Sequence, residues 1–151
     1  MPTAQPPDAS RAELPEVVHA TAISVDGKGL LIRGASGSGK SSLALEMISL
    51  GAFLVADDQT ELRRQEDGVI ASCPAAIAGQ IEARGLGILN AIPVGPTPLA
   101  AVLDLDTAES DRLPPFRETV LLGQSLPLLH KAGITTFPAA LMQYLKQGRR
   151  G

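Results

Sequence analysis

The residues best suited to chemistry lie in a glycine-rich segment, GASGSGKSS, at positions 34–42. Its spacing matches the phosphate-loop pattern G-x-x-x-x-G-K-[ST], in which backbone N–H groups surround a phosphate. The lysine of such a loop reaches the outer phosphates, and the serine hydroxyl can ligate Mg²⁺. The alternative is an ordinary glycine-rich turn before a helix. The segment predicts a nucleotide site made of Gly34, Ala35, Ser36, Gly37, Ser38, Gly39, Lys40 and Ser41.

An acidic pair, Asp57 and Asp58, follows the apolar residues LVA a short way after the loop. Phosphate-loop proteins keep an acidic residue near the metal and the transferred phosphate at such a place. Successive residues that leave a strand point in different directions. One aspartate can therefore serve Mg²⁺ through a water while the other faces an acceptor hydroxyl. Taken alone, the pair is also compatible with a polar turn after a strand.

A third group of candidate residues lies in the stretch IEARGLGILN at positions 81–90. Glu82 can complete a Mg²⁺ site, and Arg84 can neutralise charge on a phosphoryl group during transfer. The two residues have the same strand parity, so the pattern predicts that they project to the same side. The alternative is a surface Glu–Arg pair beside a glycine turn.

Strands and helices must position these groups, and the apolar pattern predicts where the first of them lie. Strands at Val17 to Val25 and Gly29 to Arg33 are joined by Asp-Gly, which is a hairpin signal, and the second strand leads into the loop. A helix at Ser41 to Leu50 follows, with Gly51 as its left-handed stop. The next buried strand is Ala52 to Ala56. Strand, loop and helix are the context that a phosphate loop requires.

The rest of the chain continues as a mixed α/β pattern. Glu61 to Arg64 and Val69 to Ser72 are predicted to pair as a hairpin, and Leu99 to Leu105 and Thr119 to Leu122 are further strands. The last element is a helix capped by Thr136, with Pro138 in its first turn.

Length and composition indicate one domain at residues 16–147, after an irregular leader at 1–15 and before a frayed tail at 148–151. Aromatic residues make up 3% and the net charge is -3, which argues against a nucleic-acid surface built on base stacking. The single cysteine, Cys73, excludes an internal disulfide and fits a reducing compartment. No apolar run reaches the roughly 20 residues of a membrane span. These features predict a cytoplasmic protein with no membrane segment.

The order of the motifs resembles the catalytic domain of the HPr kinase/phosphorylase family. That family has a histidine on the strand before the loop, then G-x-S-G-x-G-K-S, V-A-D-D and E-x-R-G-x-G-I. This chain has His19, GASGSGKS, LVADD and EARGLGI in the same order. The resemblance covers about residues 14–127. It implies an α/β fold of the phosphate-loop type related to phosphoenolpyruvate carboxykinase, with a mixed sheet and flanking helices.

The resemblance also implies the reagents: ATP as donor, Mg²⁺ as cofactor and a serine of the phosphocarrier protein HPr as acceptor. Lys40 would contact the phosphates, and Ser41 and Glu82 would hold Mg²⁺. Asp57, the other member of the acidic pair, is the aspartate left to serve the metal. Asp58 would be the base that takes the proton from the serine.

Two further residues receive a role only through the family. His19 matches the active-site histidine, although a lone histidine in an apolar strand is otherwise more typical of a core. Arg112 resembles an active-site arginine on a flexible segment, and without the family it is typical of a surface loop.

The chain departs from the family pattern at several places. Ser42 stands where many members have an acidic residue, and only about fifteen irregular residues precede the first strand, in place of the family's N-terminal domain. The late motif Pro-Val-x-x-Gly-Arg-Asn, associated with phosphorolysis, is not found; the chain reads LLHKAGITTFPAALM after Pro127. The prediction is therefore an HPr serine kinase whose phosphorylase activity is in doubt, assembled as a homo-oligomer, hexameric by resemblance. A non-catalytic nucleotide-binding regulator and a small-molecule kinase are the alternatives.

Overall fold

The computed structural model describes residues 15–151, so the leader expected at 1–15 lies outside the described part except for Pro15. Strands, two α-helices and one short 3-10 turn at Ala75–Ile77 make up the described chain. The strands are β1 Glu16–Val18, β2 Ala20–Val25, β3 Lys28–Arg33, β4 Phe53–Ala56, β5 Thr60–Gln65, β6 Gly68–Ser72, β7 Gln80–Ala83, β8 Gly87–Asn90, β9 Thr97–Ala108, β10 Glu118–Leu121 and β11 Gln124–Lys131. The helices are α1 Lys40–Ser49 and α2 Phe137–Gln147.

Nine of these strands form one mixed sheet, in the order β1-β5-β6-β9-β3-β2-β4, with β11 on β9 and β10 on β11. β3 runs parallel to β9, and β9 runs parallel to β11. β4 is antiparallel to β2, which is antiparallel to β3. The carboxyl ends of β3, β4, β9 and β11 therefore meet at one edge of the sheet, where open α/β sheets bind their ligands.

The core lies on both faces of this sheet because neighbouring residues of a strand point to opposite sides. Leu30 and Ile32 of β3 pack with residues of both helices, such as Met47 and Leu145. Leu31, between them, belongs to a second cluster formed with β5, β6, β9 and β11. A strand buried on both faces has a continuous apolar sequence, as β3 does.

Most of the expected elements are present. The β2–β3 turn has Asp26 at φ 53° and Gly27 at φ 77°, the two positive values of a tight hairpin turn. The hairpin of β5 and β6 also forms as expected, with Leu62 opposite Ala71. Thr136 does stand at the start of α2, but its side chain makes no capping hydrogen bond there.

The structure corrects the first strand and adds others. The strand expected at Val17 to Val25 is broken at His19: β1 before it pairs with β5, whereas β2 after it pairs with β3 and β4. β11 and the separate hairpin of β7 and β8 were not predicted. None of the helices in residues 15–151 is both long and apolar enough to cross a membrane.

Candidate functional site

The phosphate loop connects the carboxyl end of β3 to the first residue of α1, and its shape depends on glycine. Gly37 and Gly39 have φ values of 83° and 102°, a region that other residues rarely adopt. A Cβ on Gly34 would come within 2.5 Å of the Ser38 hydroxyl oxygen and 3.2 Å of the Leu105 Cβ. The glycines of the motif are thus required both by backbone angles and by close packing.

Both ends of the loop are fixed by hydrogen bonds. Lys40 is only 7% exposed, and its ammonium donates to the carbonyl oxygens of Gly34 (2.8 Å) and Ala35 (3.2 Å). Because an ammonium has three N–H donors, one remains for a phosphate oxygen. The Ala35 N–H donates to both carboxylate oxygens of Asp106, at 3.1 and 3.0 Å, which ties the start of the loop to β9. Asp106 was not among the predicted site residues.

Asp57 is the residue that joins the surrounding elements. It is buried, and its carboxylate accepts hydrogen bonds from the Ser41 hydroxyl (2.6 Å), the Thr21 hydroxyl (3.0 Å) and the Glu82 N–H (3.0 Å). These donors come from α1, β2 and β7. One carboxylate therefore fixes the phosphate-loop helix, the strand after His19 and the EARGLG hairpin relative to one another.

The same group of oxygens fits Mg²⁺. The Ser41 hydroxyl and the Asp57 carboxylate are hard oxygen donors, and Glu82 lines the adjoining cleft. Mg²⁺ is commonly bound by one or two carboxylates together with substrate phosphates and waters, so it requires no closed protein cage. Residues 15–151 hold no group of three or more His, Cys, Asp or Glu side chains arranged around a possible ion. The donors present match the magnesium type of site.

Asp58 points elsewhere, because the chain turns sharply at this residue. Its φ is 73°, and the Gln59 N–H donates to the Asp57 carbonyl at 2.8 Å, which closes a three-residue γ-turn. The Asp58 N–H is held by the Thr21 hydroxyl at 3.2 Å. A non-glycine residue in this conformation costs of order 1–3 kcal/mol, and such strain is concentrated at functional sites. The two adjacent carboxylates therefore face different surroundings.

The Asp58 side chain is exposed and pairs with His19. Its Oδ1 lies 3.2 Å from the imidazole Nδ1, and the two side chains are 61% and 52% exposed. His19 can reach this position because it stands in the break between β1 and β2. It is therefore a surface residue of the site, and the core alternative for this histidine is wrong.

An open cleft of about 230 Å³ brings most of the candidate residues together. Arg84 lies in the turn after β7, one residue beyond the strand that contains Glu82, yet it shares the cleft with Glu82. The turn thus preserves the common side that strand parity predicted. The cleft is lined by His19, Ser36, Gly37, Gly39, Lys40, Ser41, Ser42, Asp58, Glu82 and Arg84.

Arg112 does not line this cleft. It lies at a separate cavity of about 160 Å³, beside the ion pair between Arg117 and Glu109. The hydrogen bond from Arg117 is the main reason that the pKa of Glu109 is lowered from its ordinary value. His130, on the unpredicted β11, lines the same cavity, with its Nδ1 4.0 Å from the Glu109 Oε1. The structure thus separates Arg112 from the other candidate residues.

Thr21 is the other site residue that sequence reasoning missed. Its side chain is fully buried, and its hydroxyl both donates to Asp57 and accepts from the backbone of Asp58. A threonine within an apolar strand gives no signal of this role in the sequence, since threonine is common in strands.

Comparisons with known proteins place the cleft within a recognised family region. Residues 12–94 match the family model described as the HPr serine kinase C-terminal domain. All the residues that line the cleft, from His19 to Arg84, lie within this range. The cavity beside Arg112 and the last helix lie beyond them.

Individual relatives of the chain come from the same family. An HPr kinase/phosphorylase of Bordetella pertussis is 53% identical over 74 residues, which cover 48% of this chain and 24% of the relative. One from Clostridium tetani is 42% identical over 90 residues, covering 60% of this chain and 29% of the relative. The matched segment thus spans only about a quarter of the length of these relatives.

A solved structure extends the similarity to most of the chain. The Hpr(Ser) kinase/phosphatase of Coxiella burnetii aligns with a TM-score of 0.72 at 25% identity, covering 87% of this chain and 94% of that one. The expected α/β fold, a mixed sheet with flanking helices, is confirmed by this match.

Proposed function

This chain belongs to the HPr serine kinase C-terminal domain family, and from that premise we propose that it transfers the γ-phosphoryl group of ATP to a serine of an HPr-type phosphocarrier protein. The observation that carries the proposal is that Asp58, exposed and paired with His19, lines the same cleft as the phosphate-loop residues Lys40 and Ser41. A base at that position can reach both an incoming hydroxyl and the outermost phosphate.

The loop and its helix hold the donor in this proposal. Backbone N–H groups of the loop beyond Ala35, whose own N–H is bonded to Asp106, surround the phosphates. The third N–H of Lys40 binds the outer phosphates. Ser41, Asp57 and Glu82 are the residues that would hold Mg²⁺, which when bound neutralises part of the triphosphate charge. Because Asp57 already orients Ser41, the hydroxyl is fixed in advance of binding.

Asp58 acts on the acceptor. Its carboxylate accepts the proton of the serine hydroxyl as the serine oxygen forms a bond to the γ-phosphorus and the bond to the β-phosphate oxygen breaks. The products are phosphoserine and ADP. The contact with His19 orients the carboxylate, and Arg84 offsets charge on the transferring group. For Arg112 to take part in transfer, its segment would have to move to the cleft when the acceptor protein binds.

The setting of the reaction is also part of the proposal. We place the protein in the cytoplasm and expect a homo-oligomer, a hexamer by resemblance to the family. Forward transfer is the proposed direction of the reaction, and phosphorolysis is in doubt because the stretch after Pro127 does not carry the late family motif. Light scattering of the purified chain tests the oligomer, and release of label from phosphorylated HPr with inorganic phosphate tests phosphorolysis.

The central experiment incubates the protein with γ-labelled ATP and HPr from the same source. Asp58→Asn should bind ATP as the wild type does and lose transfer by about 10²–10⁴-fold, the usual contribution of a general base. The matched control is Asp67→Asn, at an exposed turn of the β5–β6 hairpin, which should transfer normally. Full transfer by Asp58→Asn would refute the assignment.

A second variant tests the loop itself. Lys40→Ala should weaken ATP binding, because it removes the only loop side chain with a positive charge for the phosphates. Unchanged affinity would mean that the nucleotide binds elsewhere. Label on a metabolite in place of HPr would indicate the small-molecule kinase, and tight ATP binding without any transfer would indicate the regulator.

A further inference from the structure

A second cavity adjoins the phosphate loop on the side away from Asp58. Its volume is about 370 Å³, within the range of roughly 300–1,000 Å³ that is usual for small-ligand pockets. It shares Gly39 and Ser42 with the phosphate cleft, so the two spaces meet at the start of α1. The remaining walls come from β9, α1 and the connection between β11 and α2.

The strand order of the sheet indicates in which direction a bound triphosphate runs along the loop. β3, which leads into the loop, has β2 and β4 on one side, and these strands carry the groups near Asp58. On its other side are β9 and β11, whose carboxyl ends supply Leu105 and Lys131 to the second cavity. If the transferred phosphoryl group faces Asp58, the other end of a bound triphosphate must leave the loop towards β9 and β11.

We propose that the second cavity holds the base and ribose of the nucleoside triphosphate. This inference rests on the proposed function and adds the location of the nucleoside. The apolar part of the lining includes Leu43, Leu105, Ile134 and Phe137, which suits the faces of a base. Polar side chains that could contact the ribose stand at Ser42 and Thr135.

The connection between β11 and α2 is a part of this wall that lies far from the phosphate loop in the sequence. It lies beyond residues 12–94, the region that matches the family model. Ile134 in this connection is 57% exposed, so part of its apolar surface is available to a ligand. Part of the nucleoside contact is therefore supplied from outside residues 12–94, the region that contains the phosphate loop.

The test compares ATP with inorganic tripolyphosphate, which has the phosphates but no nucleoside. Calorimetric titration should show that Ile134→Ser weakens ATP binding about fivefold or more and changes tripolyphosphate binding less than twofold. The matched control is Val120→Ser, at an exposed apolar residue on β10 that lines neither cavity. It should leave both affinities unchanged.

Amide chemical shifts provide a second measurement that does not depend on the variant. Addition of ATP should shift the signals of residues 132–135, whereas tripolyphosphate should shift those of the loop and leave 132–135 in place. Equal effects of Ile134→Ser on both ligands, no effect on either, or absent shifts at 132–135 would overturn the nucleoside location while the kinase proposal stands. If the wild type binds neither ligand, both proposals fail together.

Discussion

Replacement of Asp57 by asparagine should separate the structural role of this carboxylate from the chemical role of its neighbour. The Asp57 Oδ1 accepts from the hydroxyls of Ser41 and Thr21, and its Oδ2 accepts from the Glu82 N–H. Asparagine has only one carbonyl oxygen. If that oxygen replaces Oδ1, the amide nitrogen faces the Glu82 N–H, and two donors meet where a donor and an acceptor met before.

The expected cost follows from this conflict. A buried donor without an acceptor costs about 1–3 kcal/mol, and bonds to a charged group are stronger than neutral ones. We expect Asp57→Asn to lower the free energy of unfolding by about 2 kcal/mol. For a chain of about 150 residues this corresponds to a fall of about 4–8 °C in Tm. Urea denaturation and thermal melting, both followed by circular dichroism, measure it.

The matched comparison is Asp58→Asn, which changes the adjacent carboxylate in the same way. The Asp58 side chain is 61% exposed, and exposed ion pairs contribute about 0–1 kcal/mol. Its stability should therefore stay close to that of the wild type although transfer is lost. The reasoning is refuted if Asp57→Asn has the same Tm as the wild type, or if Asp58→Asn loses as much stability as Asp57→Asn.

Three other predictions concern separate parts of the molecule. Gly34→Ala should weaken ATP binding at least tenfold, since its Cβ has no room, whereas Gly68→Ala, where the Cβ meets nothing within 4 Å, should not; titration with ATP decides. The hydrogen bond from Arg117 is the main cause of the lowered pKa of Glu109, so the ionised Glu109 stabilises the fold above the ordinary glutamate pKa of about 4.3. This stabilisation is lost as the pH falls through the lowered pKa. In urea denaturation between pH 6 and pH 3, the free energy of unfolding of Glu109→Gln should therefore fall less than that of the wild type. Burial, followed by the nearby negative charges, raises the pKa of the Cys73 thiol, so iodoacetamide at pH 8 should label the folded protein much more slowly than the urea-unfolded one, and equal rates would contradict this.

The sequence predicted those parts of the fold that local physics decides. The loop glycines, the Asp-Gly turn after β2 and the helix that begins at Lys40 each depend on neighbouring residues, and each is present. Strand parity also indicated that Asp57 and Asp58 would face different surroundings. The structure adds the reason, which is a γ-turn at Asp58 that no propensity of aspartate by itself would predict.

The elements that were missed depend on distant pairing. β11 contains Pro127, which interrupts an apolar run and removes a backbone donor. The strand forms because Leu128 and Leu129 pair with Val102 and Leu103 of β9, and because Leu122 and Gly123 adopt the positive φ values of a tight turn from β10. A pattern read along the chain contains no information about such a partner.

The same limit explains why the site was predicted as three separate motifs and not as one unit. Asp57 is 36 residues from Thr21, 16 from Ser41 and 25 from Glu82, yet one carboxylate contacts all three. Those contacts exist because β2 lies between β3 and β4, which places two parallel carboxyl ends one strand apart. The motifs predicted phosphate and magnesium binding because these ligands need particular side chains. The contacts of Asp57 that join the three motifs depend on the topology of the sheet. A buried carboxylate and a buried threonine differ from ordinary strand residues only in the groups that they contact on neighbouring strands.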